Sequence, residues 1–197
     1  MMILDDLLPQ WMVDKVASEI PIIPVSYTNS PYGEYHKSRF FGQLLIKEEQ
    51  WVAPIAPHWF IDYLHMLVCN EVLVDYKIDH LDRCLLNCQT PGQHAQIHTD
   101  ACLPNDAPYG VSDRLSGIYQ VDGEGDTVLY HDSGEEYARI PFKSGRLVIF
   151  DSLILHQGEP PVNAPIRWSL GYIWKTGAPM ASEPSDPLKL NKKLFMS

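Results

Sequence analysis

The chain has 197 residues, 45% hydrophobic and 20% charged, which suits one globular domain and excludes a collagen, a coiled coil or a disordered tail protein. Asp and Glu number 25 against 15 Lys and Arg, and the formal charge of -10 makes nucleic acid and anionic lipid poor partners. No apolar run reaches the roughly 18 residues of a membrane span, and MMILDDLLPQ has two aspartates where an export signal carries Lys or Arg. A cytoplasmic protein without membrane contact is expected, with Cys69, Cys84, Cys88 and Cys102 as free thiols.

In chain order, Leu7, Leu8, Trp11, Met12 and Val16 recur at helical spacing behind Asp5 and Asp6, so a first helix is expected near residues 5 to 19, stopped by Pro21. Residues 22 to 38 are rich in Pro, Ser, Tyr and Gly and read as loop, and RFFGQLLI at 39 to 46 reads as a strand. A second helix opens with Pro57 in its first turn, carries Trp59, Phe60, Tyr63, Leu64, Leu67 and Val68 on one side, and ends near Val74.

From Lys77 the pattern changes to short β-type runs at 81 to 90, 114 to 121, 126 to 131, 137 to 140, 146 to 150 and 166 to 175. Such runs, separated by turn residues, point to a sandwich or barrel, and the jelly roll is the version whose mouth can hold a small ligand. Alternate positions 84, 86 and 88 suit one buried strand face. The expected organisation is one domain over 1 to 177, with 1 to 76 as helical and loop support and 77 to 177 as a barrel with the helices outside. Residues 178 to 197 read as an extension. The Gly123-Glu124-Gly125 stretch follows a strand but opens no helix, so it reads as a hairpin turn rather than a nucleotide loop.

On a strand, H-x-D places both side chains on one face, and two such pairs occur, His80 with Asp82 and His98 with Asp100. His156 stands at the end of the apolar run in GRLVIFDSLILHQGEPP, well placed as a third ligand at a barrel mouth. Two histidines and one carboxylate leave one face of an octahedral metal open, the arrangement of non-haem Fe(II) oxygenases. Shortly beyond, Arg167 and Ser169 share a strand face, and a guanidinium fork beside a hydroxyl suits the distal carboxylate of 2-oxoglutarate.

The ordered series His98, Asp100, His156, Arg167 and Ser169, with LNCQTPGQHAQIHTD, GIYQVDGEGDTVLY and RWSLGYIW around it, resembles the 2-oxoglutarate and Fe(II)-dependent dioxygenases, closest to small prolyl-hydroxylase-like members of phages and bacteria. The resemblance implies a mainly β, cupin-like double-stranded β-helix with iron on His98, Asp100 and His156. It further implies 2-oxoglutarate anchored by Arg167 and Ser169, dioxygen as co-oxidant and ascorbate as a candidate auxiliary reductant. Gln89 and Tyr119 stand where relatives place polar cosubstrate contacts.

The implied reaction is hydroxylation of an unactivated C–H bond, with Asp100 standing where halogenating relatives have a small residue. Base-repairing relatives have a second Arg where this chain has Ile173, which weighs against nucleic acid, and relatives acting on proline often have Lys at the position of Arg167. A peptide side chain is the favoured substrate, then an amino acid or other small molecule. Approach is expected past His94 to Ile97, Ala101 to Asp113 and Tyr27 to Arg39. The alternative is a cupin-like binding or structural module without oxidation, which has no use for Arg167 and Ser169.

Overall fold

A computed structural model describes residues 1–29, 40–101 and 111–181. Its strands are β1 (Met2–Leu4), β2 (Ser26–Asn29), β3 (Phe40–Lys47), β4 (Gln50–Trp51), β5 (Ile78–Gln89), β6 (Val111–Asp122), β7 (Thr127–Tyr130), β8 (Glu136–Ile140), β9 (Leu147–Asp151), β10 (Leu155–Gly158) and β11 (Arg167–Ala181). Two helices, α1 (Gln10–Glu19) and α2 (His58–Leu67), lie between them in sequence. The major sheet runs β1, β9, β6, β11, β5, β3, β2, with β4 paired to β3, and a second sheet runs β10, β7, β8. The strand pairings in both sheets are antiparallel, as a jelly roll requires.

The alternation predicted for β5 holds: Cys84, Leu86 and Cys88 are buried, and Trp168, Leu170, Tyr172 and Trp174 of β11 join them in one core. Met12, Val13 and Val16 of α1 and Phe60, Ile61 and Leu64 of α2 close that core from outside the sheet. Full burial of each such large side chain is worth about 1.5–3 kcal/mol, so the helices are held by packing on this face. Burial also raises the thiols of Cys69 and Cys88 to about 11 and Cys84 further, leaving all three protonated and free. A smaller core of Leu129, Ile140, Val148 and Phe150 joins the second sheet to the first.

The N-terminal region departs from its reading as helical support, since β1 to β4 all belong to the major sheet. The first helix begins at Gln10 rather than near residue 5, because Met2 to Leu4 pair with Ile149 to Leu147 and Asp5 is bound by Arg146 at 2.7 and 2.8 Å. Pro9, which disfavours helix in the residue before it, then supplies the first acceptor, to the Met12 N–H at 2.9 Å. The second helix ends at Leu67 and continues as a wider π turn over Val68–Val72 and a tight turn over Val74–Tyr76. Tyr63, expected on its buried side, is 44% exposed, and Ile61 takes that place.

Residues 123 to 125 form no hairpin, because β6 lies in the major sheet and β7 in the second, so they turn a corner between sheets. β11 runs six residues beyond the expected 175, to Ala181. Residues 182–197 of the expected extension, and Cys102, lie outside the described residues. No helix among the described residues is long and apolar enough to cross a membrane.

Candidate metal and cosubstrate site

Because core side chains take the even positions of β5 and β11, the odd positions face the opposite way, into the space between the two sheets. There Arg83, Leu85, Asn87 and Gln89 of β5 line a cavity of about 430 Å³ together with Arg167, Ser169, Gly171 and Ile173 of β11. The register sets Arg167 beside Gln89, Ser169 beside Asn87, Gly171 beside Leu85 and Ile173 beside Arg83. Leu44 and Lys47 of β3 extend the Leu85 and Arg83 rows.

His98, Asp100 and His156 meet at this cavity. The backbones of His98 and His156 exchange two hydrogen bonds, at 3.1 and 2.9 Å, which adds residue 98 to the free edge of β10. Asp100 N–H donates to Ser152 O at 3.0 Å. Each imidazole is fixed through Nδ1, which donates to Gln96 O at 2.8 Å in His98 and to Ile154 O at 3.0 Å in His156. That tautomer leaves both Nε2 lone pairs directed at Asp100, 3.8 Å from its Oδ1 and 3.5 Å from its Oδ2 respectively. The three ligand atoms lie within 4.8 Å of one another.

Burial lowers the pKa of His156 despite the attraction of Asp100, so its ring is neutral and able to ligate. Burial pushes Asp100 up, but its electrostatic coupling to the His156 and His98 rings, the Arg83 charge and the Ser116 hydroxyl, at 2.7 Å, hold it below the usual carboxylate range. His156 and Asp100 therefore carry the protonation a divalent cation needs of them, a neutral imidazole nitrogen and a carboxylate.

Arg167 is 3% exposed and held entirely by neutral groups. Its Nε donates to Gly125 O at 3.1 Å, Nη1 to Gln89 Oε1 at 2.8 Å and Nη2 to Thr127 Oγ1 at 3.3 Å. Burial without a contacting carboxylate pulls its pKa down to about 10, against the attraction of Asp126 and Glu159, both of which bond Arg139 instead. A buried cation in this state is a ready partner for an incoming carboxylate. Ser169 Oγ lies 3.5 Å from Nη1. Two glycines make room for the guanidinium. A Cβ on Gly158 would stand 2.8 Å from Nη1, and Gly125 holds its carbonyl toward Nε with a φ of 110°.

The other sequence candidates fall differently. Gln89 reaches the cavity, but its amide is consumed in holding Arg167, with Nε2 donating to Gln93 O and Gly158 O, both at 3.1 Å. Tyr119 is not brought to the site, because its ring packs on Phe60 on the helix side and Ile118 is the β6 residue that lines the cavity. His80 bonds Asp79 at 3.0 Å while Asp82 binds Arg114 at 3.2 Å, so the rival pair, on β5 between β11 and β3, stays out of the cavity. Of the expected approach segments, Ala95 lines the cavity, whereas residues 30–39 and 102–110 lie outside the described residues. Arg83, Ser116, Thr127 and Gly158 were missed. For Arg83 the signal existed, since it occupies the odd face of a strand whose even face reads as core.

Residues 84–174, which include His98, Asp100, His156, Arg167 and Ser169, match the family model described as 2OG-Fe(II) oxygenase superfamily. Over that stretch, just under half of its length, the chain is similar to that superfamily. It is an enzyme whose cofactors are Fe(II) and 2-oxoglutarate. No curated protein matches this oxygenase in sequence.

Among solved structures it is similar to a Pseudomonas putida prolyl-4-hydroxylase, with a TM-score of 0.59 and 16% identity over 90% of this chain and 92% of that one. A Trichoplax adhaerens prolyl hydroxylase in complex with a hypoxia inducible factor peptide fragment gives 0.61 and 17%, over 89% and 82%. HygX from Streptomyces hygroscopicus, with nickel and 2-oxoglutarate bound, gives 0.63 and 9%, over 89% and 82%. These likenesses identify the fold as the double-stranded β-helix of such oxygenases.

Proposed function

We propose that this oxygenase hydroxylates an unactivated C–H bond on a peptide side chain, with Fe(II) held by His98, Asp100 and His156 and 2-oxoglutarate anchored by Arg167 and Ser169. The observation that carries the reading is the pairing, in one cavity, of two imidazoles locked with Nε2 toward a carboxylate and a buried guanidinium that touches no carboxylate. When bound, iron and 2-oxoglutarate supply oxidative power from dioxygen, with succinate and carbon dioxide as co-products.

The chain's own share is positional. Gln96 and Ile154 carbonyls fix the rings, Arg83 and Ser116 hold the two oxygens of Asp100, and Gln89 and Thr127 aim the Arg167 fork. Leu44, Leu85, Ile118 and Ile173 give the cavity apolar walls that exclude water and favour an aliphatic group. The Trichoplax neighbour's peptide complex supports a peptide over a free amino acid. The net charge of -10 and Ile173 weigh against nucleic acid.

The test has two parts. Anaerobic Fe(II) and 2-oxoglutarate should give a weak visible charge-transfer band that His98→Ala, Asp100→Ala and His156→Ala abolish, and a band that survives all three would refute the ligand set. Succinate release, screened with peptides, amino acids and single-stranded oligonucleotides, should rise most with peptides. Stimulation by oligonucleotides alone would overturn the substrate class.

A further inference from the structure

The cavity has a second cationic station that the metal and cosubstrate reading does not use. Lys47 and Arg83 stand opposite one another on β3 and β5, and both line the cavity. Like charges placed across a strand pair repel, so the pairing costs stability in the free protein. Arg83 meets Asp100 Oδ1 at 3.3 Å through Nη2 alone, and no carboxylate among the described residues pairs with Lys47.

Charge counting on the filled site sharpens the point. Among its ionised lining residues, Lys47, Arg83 and Arg167 are positive and Asp100 is negative. Adding a divalent metal and doubly charged 2-oxoglutarate cancels Asp100 and Arg167 and leaves Lys47 and Arg83 unbalanced. The two stations are also far apart. Gln89, beside Arg167, is six residues along β5 from Arg83, or about 20 Å at strand rise. A 2-oxoglutarate held by Arg167 turns its other end to the metal ligands, so the Lys47 and Arg83 cations are left for another anion.

We infer that the oxygenated substrate is itself an anion, whose carboxylate docks on Lys47 and Arg83 while its aliphatic part lies along Leu44 and Leu85 toward the metal site. This rests on the proposed function and narrows it to acidic peptides or small carboxylic acids. Arg83 positions Asp100 and the substrate together, whereas Lys47 touches only the substrate.

Calorimetric titration of the Ni(II)- and 2-oxoglutarate-loaded protein with matched acid and amide probes tests it without turnover. One arm uses N-acetyl-glutamate against N-acetyl-glutamine, and the other uses capped Glu-Pro against Gln-Pro peptides. In at least one arm the acid should bind about ten-fold more tightly than its amide, as two half-exposed ion pairs allow. Lys47→Glu should erase that preference. Its effect on 2-oxoglutarate affinity should stay within about two-fold, because among the described residues no hydrogen bond or ion pair joins Lys47 to Arg167 or to a metal ligand. Arg83→Lys should keep the acid preference in part, since the charge remains. No acid preference in either arm, or a preference that Lys47→Glu leaves intact, overturns the inference while 2-oxoglutarate still binds. Failure of the wild type to bind 2-oxoglutarate would instead overturn the underlying reading of the centre.

Discussion

Replacing Arg167 by Ala separates the cost of burying a cation from its value to a ligand. A guanidinium has five N–H donors, and the protein engages four of them, through Gly125 O, Gln89 Oε1, Thr127 Oγ1 and, at 3.5 Å, Ser169 Oγ. One donor remains free, and yielding the long Ser169 contact frees a second for a bidentate carboxylate. Losing such a desolvated contact costs about 2 to 5 kcal/mol, or about 30- to several-thousand-fold in Kd for 2-oxoglutarate. Ser169→Ala, which removes one neutral donor, should cost only about 0.5–1.5 kcal/mol.

Stability of the ligand-free protein should respond much less, because two effects oppose. The fall of the Arg167 pKa from the ordinary guanidinium range to about 10 corresponds to about 3 kcal/mol of uncompensated desolvation, which Ala relieves. Against this, Gln89 Oε1 and Gly125 O lose their donor, at about 1–3 kcal/mol per buried group. Thermal melts should therefore show a ligand-free Arg167→Ala protein near the wild type. The rise in Tm that 2-oxoglutarate gives the metal-loaded wild type should vanish. A folded variant that binds 2-oxoglutarate within about three-fold of wild type would refute the assignment of Arg167.

Two further perturbations probe the surroundings. Gly158→Ala keeps every donor but drives a methyl to 2.8 Å from Arg167 Nη1 and 3.1 Å from Gln89 Oε1. Overpacking of this kind costs about 1–3 kcal/mol, so calorimetry should show weaker 2-oxoglutarate binding, and unchanged affinity would mean the fork tolerates displacement. Arg146 holds the Asp5 carboxyl below its ordinary range, chiefly by hydrogen bonding. Its contribution is therefore present above the unfolded carboxylate value of about 3.9 and is lost as pH falls through the lower folded value. Urea melts of Asp5→Asn should differ from wild type at pH 7 and converge with it in strong acid, whereas a pH-independent difference would contradict the linkage.

The residues that were legible are those whose relations are local or parity-bound. Arg167 and Ser169 share a face by spacing and the buried even face of β5 is visible in 84, 86 and 88, whereas His98 and Asp100 meet at the site outside any named strand, His98 in an isolated bridge to His156. What failed depends on partners distant in sequence. That Gln89 bonds Arg167 follows from the β5 to β11 register that sets them side by side, and no local pattern encodes that register. Tyr119 was assigned one position out of phase: a single step along β6 exchanges the cavity for the core, and Ile118 occupies the cavity side. The first helix was started too early for the same reason. The helical pattern behind Asp5 and Asp6 abuts Met2 to Leu4, which pair with β9, and the Arg146 bond to Asp5 outweighs any helix-terminal role for that carboxylate.

Net charge shows where a whole-chain quantity stops being informative. The value of -10 describes the field a polyanion meets at a distance, and it argues against a phosphate backbone. Inside the cavity the sign reverses, with Lys47, Arg83 and Arg167 against Asp100 alone. A long polyanion must approach through the outer field, whereas a small carboxylate is screened beyond about 10 Å and responds mainly to the cations nearest it. The same chain can thus repel nucleic acid and select acids, and the selection depends on strand parity. Arg83 and Arg167 occupy odd positions of adjacent strands whose even positions form the core, so the fold that buries Cys84 and Trp168 also turns both guanidinium groups inward.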